Sequence, residues 1–153
     1  MNFFQCSTPF GPMALASEGE AITRLYLPGR PTPRLVSHPT PLLLEGERQL
    51  LEYLNGQRKT FDLPLNPQGT PFQRGVWQAL LAIPWGETRT YRDIAQAVDS
   101  PRAFRAVGMA NHRNPIPIFI PCHRVVGSDG SLTGYAGGLE LKQALLALEG
   151  HTF

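Results

Sequence analysis

A chain of 153 residues, 42% hydrophobic and 17% charged, can form one ordinary domain or two small ones, holds enough apolar material for a core, and is too sparsely charged to be disordered. It reads as a soluble globular protein. The net charge of +2 does not by itself point to nucleic acid, and no stretch reaches the roughly 18 consecutive apolar residues of a membrane-spanning helix. The opening "MNFFQCSTPFGPMALASEG" lacks a basic segment leading into a long apolar run, so it does not read as a secretory signal. With Cys6 and Cys122 as the only cysteines, free thiols in a reducing compartment are the default.

In chain order, "MNFFQCSTPFG" and "MALASEGEAITRLYL" are apolar runs cut by Gly and Pro, which predicts short strands in hairpin-like pairing. "PGRPTPRLVSHPTP" is too rich in proline to be anything but a loop. Between Leu42 and Leu54 the residues Leu43, Leu44, Leu50, Leu51 and Leu54 recur near the helical period and predict a helix. "FDLPLNPQGTP" reads as a short strand and a linker.

The texture changes from Pro71 onward. "PFQRGVWQALLAIPWG" sets Phe72, Val76, Leu80 and Leu81 on one helical face and closes with Pro84 and Gly86. "TRTYRDIAQAV" opens with Thr90 three residues before Asp93, in the manner of a capping box, with Ile94, Ala95 and Val98 as its buried face. "DSPRAFRAVGMAN" predicts a further helix with Pro101 at its first position. Two short helices joined by a tight turn, the second bearing arginines, fit either a plain helical hairpin or a helix-turn-helix. Ala103, Ala106, Gly108 and Ala110 make that second helix unusually small-faced. Gly108 costs a helix about 1 kcal/mol relative to alanine, which makes sense if something must approach its backbone. In "NPIPIFIPCHRVV", Ile116, Ile118 and Ile120 alternate with Pro117 and Phe119 and predict an extended buried segment ending at Cys122. "GSDGSLTGYAGG" reads as a glycine-rich hairpin or wing. "LELKQALLALEG" reads as a closing helix, with Leu139, Leu141, Leu145 and Leu148 near helical spacing.

Two features invite chemistry. Between Asp99 and Asp129 there is no acidic residue, while Arg102, Arg105, Arg113, Arg124, His112 and His123 fall in that interval. That is the footprint a polyanion would use, or a solvated basic face. The second feature is Cys122, followed at once by His123 and Arg124. A free thiol has a pKa near ~8.5 and needs a base or a positive charge beside it to act as a nucleophile. In extended chain, neighbouring side chains point to opposite faces, so Cys122 and His123 meet directly only if the backbone turns there. A buried structural cysteine is the other reading.

The segments "FQRGVWQALLAIPWGETRTYRDIA", "RAVGMANHRNPIPIFIPCHRVV" and "IPCHRVVGSDGSLTGYAGGLELKQALLALEG" closely resemble the C-terminal domain of the methylated-DNA-protein-cysteine methyltransferases, also called O6-alkylguanine-DNA alkyltransferases. The resemblance runs from about Thr70 to Gly150 and is looser before that, through "STPFGPMALA" and the arrangement of strands. It implies an α+β protein. A small ribonuclease-H-like α/β domain would occupy residues 1–68, and a winged-helix-like, helix-turn-helix DNA-binding domain residues 69–153.

The activity implied is direct-reversal repair. The thiolate of Cys122 displaces the alkyl group of O6-alkylguanine, and of O4-alkylthymine as a further substrate, in duplex DNA, and is consumed in one turnover. By similarity Glu149 orients His123, which takes the proton of Cys122 through a water, and Tyr135 protonates the departing base. Arg105 is the finger that replaces the extruded nucleotide, and Tyr91 pushes on the target phosphate. Ala103, Ala106 and Gly108 allow close approach to the minor groove. Asn114 ties that helix to the active-site segment. Met109 and His112 match no fixed family residue and receive no role.

Double-stranded DNA carrying O6-alkylguanine is the partner implied, with no membrane. The protein is expected to act as a monomer, with cooperative assembly on DNA left open, in the cytoplasm or, in a eukaryote, the nucleus. No cofactor is implied. Zinc, held by some relatives near the N-terminus, is not expected, because Cys6 and His38 are too few for a four-ligand site. A sequence-specific regulator with a structural or alkylation-sensing cysteine, and a cysteine hydrolase with an oxyanion hole, are the rival readings.

Overall fold

In the computed structural model, which describes residues 1–151, the chain divides into two compact units, Met1–Gln68 and Gly69–Phe153. The expected C-terminal domain runs to Phe153, and its last two residues lie outside those described.

The first unit is an antiparallel meander of β1 (Asn2–Thr8), β2 (Gly11–Glu18) and β3 (Ala21–Tyr26), followed by helix α1 (Pro41–Leu54). The central strand β2 is buried from Met13 to Ser17 on both faces. Helix α1 starts at Thr40, whose side chain accepts the Leu43 N–H in the manner of an N-cap, with Pro41 at the first turn. At Gly46 a Cβ would lie 2.9 Å from Leu15 Cδ1 and 3.1 Å from Ile22 Cδ1, so the absent side chain lets the helix close onto the sheet. Leu43, Leu50 and Leu54 are buried, but Leu44 faces out and Gln49 takes a core position. The Gln49 amide satisfies itself at both ends, donating to Asp62 O at 3.1 Å and accepting from Asp62 N at 2.9 Å. The strand expected in "FDLPLNPQGTP" shrinks to one bridge, Leu65 beside Ile22. Three prolines and a glycine in eleven residues leave too few backbone donors for more.

The second unit holds α2 (Pro71–Leu81), β4 (Arg89–Thr90), α3 (Tyr91–Ala97), α4 (Phe104–His112), a 3-10 turn at Cys122–Arg124, β5 (Val125–Val126) and α5 (Leu139–Leu148). Capping boxes open α2 (Thr70 with Gln73) and α3 (Thr90 with Asp93). Helix α2 buries Val76, Trp77 and Leu80 rather than the expected Phe72 and Leu81, which are exposed. Trp77 fixes this rotation by donating its indole N–H to Ala110 O at 2.9 Å.

Helices α3 and α4 form the helix-turn-helix. Pro101 does not open α4: it lies in the turn, where Asp99 takes a left-handed φ of 56°, and the helix starts at Phe104 after Ala103. Three further expectations are corrected here. The 116–120 stretch is buried but compact, with Ile120 N–H bonded to Ile116 O at 2.9 Å and Ile118 at φ 74°. Of the two readings of the glycine-rich segment, hairpin or wing, the hairpin is not formed: the segment makes a turn closed by Gly127 N–H to Ser131 O at 2.9 Å, and β5 pairs in parallel with β4. Helix α5 leaves Leu139 exposed and buries Lys142 with Leu145 and Leu146.

Candidate active site

The cysteine is placed by a sequence of tight turns. Asn114, just beyond α4, donates its side-chain amide to Ile120 O at 2.8 Å and accepts the Ile116 N–H at 3.0 Å. Both ends of the compact segment are thus held from one side chain. Inside it, Ile118 keeps a left-handed conformation that a β-branched residue rarely adopts, at a cost on the order of 1–3 kcal/mol. Pro121 then sits at φ −80° and ψ 65° with Cys122 N–H bonded to Ile120 O at 2.8 Å, an inverse γ-turn. The 3-10 turn follows, closed by Val125 N–H on Cys122 O. The backbone therefore does turn at Cys122, so the extended geometry that would hold thiol and imidazole on opposite faces does not apply.

The two residues after the cysteine enter a closed ionic group. His123, Glu149 and Arg124 are all buried. His123 Nε2 is 2.8 Å from Glu149 Oε2, and the Arg124 guanidinium grips the same carboxylate through Nε–H to Oε1 at 2.8 Å and Nη2–H to Oε2 at 2.9 Å. Its remaining arm donates to Ile83 O at 2.7 Å. This two-pronged geometry is the strong form of a carboxylate–arginine pair. Since the carboxylate only accepts, Nε2 carries the imidazole hydrogen and Nδ1 is the lone pair of the neutral ring. Burial pulls the His123 pKa down, against the pull of Glu149, so the ring is neutral and able to accept a proton.

Burial also pushes the Cys122 thiol up to about 11, while Asn114, the Lys142 charge and Tyr135 act in the other direction. Lys142 is fully buried, a rare setting for lysine. Its Nζ donates to Val125 O at 2.6 Å and Thr133 O at 2.8 Å, and burial brings its pKa down to about 8. Arg124 and Glu149 cancel, so the ammonium of Lys142 leaves one surplus positive charge, which a Cys122 thiolate would balance.

Tyr135 is buried and reaches Cys122. Tyr91, at the start of α3, is hydrogen-bonded to Thr133 Oγ1 at 2.8 Å. On α4, Arg105 and Ala106 are exposed and Gly108 is half-buried, as is Ala103 just before the helix. A Cβ on Gly108 would meet only the Tyr91 ring, at 3.7 Å, an ordinary contact. Nothing within the unit requires glycine there. Phe104 and Met109 add exposed apolar surface to the same helix, with the Arg92 guanidinium 5.6 Å over the Phe104 ring. Thus Cys122, His123, Glu149 and Tyr135 are all buried, with Glu149 on the His123 ring and Tyr135 at Cys122, and Arg105, Ala106 and Gly108 lie on α4, which Asn114 follows in the chain. Both cysteines are free. Among the described residues no three His, Cys, Asp or Glu side chains group as metal ligands would.

Lys142 and the clamping role of Arg124 went unread in the sequence. The signal was available: Lys142, Leu145, Leu146 and Glu149 fall at i, i+3, i+4 and i+7, one stripe of α5 with a charge at either end.

Residues 71–151 match the family model described as 6-O-methylguanine DNA methyltransferase, DNA binding domain, and residues 5–67 match the one for its ribonuclease-like domain. The chain belongs to the 6-O-methylguanine DNA methyltransferase family. It is similar to the constitutive methylated-DNA-protein-cysteine methyltransferase of Bacillus subtilis (strain 168), 52% identical over 97% of this chain and 96% of the relative. A methyltransferase of the same name from Methanosarcina barkeri is 50% identical over 93% and 92%. Among solved structures, Mycobacterium tuberculosis OGT in complex with DNA superposes with a TM-score of 0.89, at 45% identity, covering 97% of this chain and 92% of that one. The fold of this methyltransferase is the two-domain one its family implies.

Proposed function

We infer that this protein repairs O6-alkylguanine in duplex DNA by transferring the alkyl group to its own Cys122, once per molecule. The observation that carries the reading is a buried thiol that follows a γ-turn and precedes a neutral imidazole locked to a carboxylate, in a chain of the methylguanine methyltransferase family. A relative crystallised with DNA supports duplex DNA as the partner.

His123 Nδ1 takes the thiol proton, through a bridging water, while Glu149 stabilises the resulting imidazolium and Arg124 holds Glu149 in place. The thiolate sulfur forms a bond to the alkyl carbon, the bond from that carbon to O6 breaks, and its electron pair passes into the guanine. Tyr135 donates a proton to the ring nitrogen that gains the charge, and its phenolate is reprotonated through solvent as the His123 imidazolium gives up the proton it took from the thiol. The products are a thioether at Cys122 and an unmodified guanine. No base is available to this chemistry inside a stacked duplex, so the nucleotide swings out. Arg105 fills the gap it leaves, Tyr91 pushes on its phosphate, and the small face of Ala103, Ala106 and Gly108 admits the minor groove. Asn114 links that helix to the active-site turn. O4-alkylthymine presents the same oxygen-bound carbon on a smaller ring and is included in the substrate range.

We place the reaction in the cytoplasm, or in the nucleus of a eukaryotic cell, because it needs a reduced thiol. No described helix is long and apolar enough to cross a membrane.

Titrating a fixed amount of protein with duplex containing one O6-methylguanine tests the function. Restored guanine should plateau at one per protein molecule. Continued turnover, or binding without restoration, would refute it.

A further inference from the structure

The carbonyl of Cys122 has two lone pairs, and both are used. Val125 N–H takes one in closing the 3-10 turn, and Asn111 Nδ2–H, from the last turn of α4, takes the other at 3.3 Å. Because the carbonyl only accepts, it fixes which way the Asn111 amide points. The amide oxygen is then left buried with no hydrogen-bond partner, and Asn111 as a whole is 3% exposed. An orphaned buried acceptor is an expensive thing to keep, and leucine has nearly the same shape without it. Nor would leucine orphan the Cys122 carbonyl, which keeps its Val125 bond. Stability alone therefore gives no reason for asparagine at this position.

We propose that Asn111 is a positioning residue for alkyl transfer, registering the backbone of the nucleophile to the helix that meets DNA. This rests on the functional reading above, in which α4 engages the duplex. Arg105 and Asn111 lie on one rigid helix, six positions apart, and Asn111 is the point where that helix touches the nucleophile's own peptide group. Asn114 holds the segment before it, at Ile120 and Ile116. When α4 seats in a groove, the Asn111 contact carries its position to Cys122, so the sulfur meets a base extruded at a place set by Arg105. A free base is not placed by α4 and does not depend on this contact.

The test compares wild type with Asn111→Leu on two substrates: duplex containing O6-methylguanine, and O6-methylguanine as the free nucleobase. The urea midpoint of the variant should equal or exceed that of wild type. At saturating duplex its single-turnover rate should fall roughly ten- to a hundred-fold, the scale expected when a reacting group is misplaced by about an ångström or less. The half-saturating duplex concentration should stay unchanged, and the rate on free base should change far less than the rate on duplex. Wild-type transfer rates from Asn111→Leu, an equal loss on both substrates, or a loss confined to half-saturation would each overturn the proposal. Should the leucine variant fail to fold, Asn111→Ala, which leaves room for water, carries the same comparison. A wild-type protein that restores no guanine from duplex overturns the functional reading as well, which separates the two failures.

Discussion

Replacing Lys142 by methionine removes a buried positive charge near Cys122 that Glu149 does not match, at little change in side-chain volume. The thiol sits at about 11 and the ammonium at about 8. At neutral pH such a thiol is almost wholly protonated, so reactivity follows any change in its pKa directly. Because the Lys142 charge favours the thiolate, its loss moves the thiol further up. A rise of about one unit, worth about 1.4 kcal/mol, means tenfold fewer thiolates at neutral pH.

The two groups titrate as a pair, which gives the pH dependence a distinctive form. In wild type, alkylation by iodoacetamide, followed by intact mass, should rise tenfold per pH unit up to about 8. There Lys142 surrenders its proton, the thiolate loses its partner, and the rise should flatten before resuming at higher pH. Lys142→Met should show no such shoulder and should lie about tenfold below wild type at pH 7. A variant that folds, by its thermal melt, and reproduces the wild-type profile would refute the electrostatic role assigned to Lys142.

Other outcomes follow from the same structure. Glu149→Gln leaves the Arg124 guanidinium buried without its counter-charge, and should lower unfolding free energy by about 3–5 kcal/mol in urea titrations; an unshifted midpoint contradicts the arrangement. Arg105→Ala, at an exposed position, should alter stability by less than about 0.5 kcal/mol. It should slow transfer from duplex while leaving transfer from free O6-methylguanine base intact, and equal slowing of both would contradict its place in the stack. Cys6 is buried and its thiol is pushed up from 9.0 to about 12, chiefly by burial. The unfolded chain therefore loses that proton first as pH rises above about 9, and native stability falls there. Cys6→Val should lose less stability than wild type between pH 8 and 10.5, and parallel losses in urea midpoint would count against the shift.

What could be read ahead of the structure was local. The capping box of Thr90 and Asp93 announced the start of α3, the leucine spacing announced α1, and the apolar runs broken by Gly and Pro announced β1 to β3. Each of these depends on residues within one turn or one strand of each other. The misreadings share the opposite character. Pro101 suits a helix start locally, but the left-handed Asp99 lengthens the turn and delays α4 to Phe104. The isoleucines at 116, 118 and 120 alternate like a strand, yet Asn114 gathers both ends of that segment and forces it to fold on itself. Lys142 went unread because apolar periodicity has no place for a charge whose partners, Val125 O and Thr133 O, lie 17 and 9 residues away. For the candidate site, resemblance singled out Cys122, His123, Glu149 and Tyr135, whereas residue chemistry alone left Cys122 between nucleophile and structural thiol. Arg124 and Asn111 escaped notice because their work is done on a carboxylate and a carbonyl distant in the chain.

In the proposed reaction carbon moves from a nucleobase to one sulfur atom. Incubation with duplex containing O6-methylguanine, followed by intact mass and peptide mapping, tests it most directly. The prediction is a single added methyl group on the peptide containing Cys122, and none on Cys6 or in a Cys122→Ser variant. An unmodified protein alongside restored guanine, or a methyl group mapped to another residue, would contradict it.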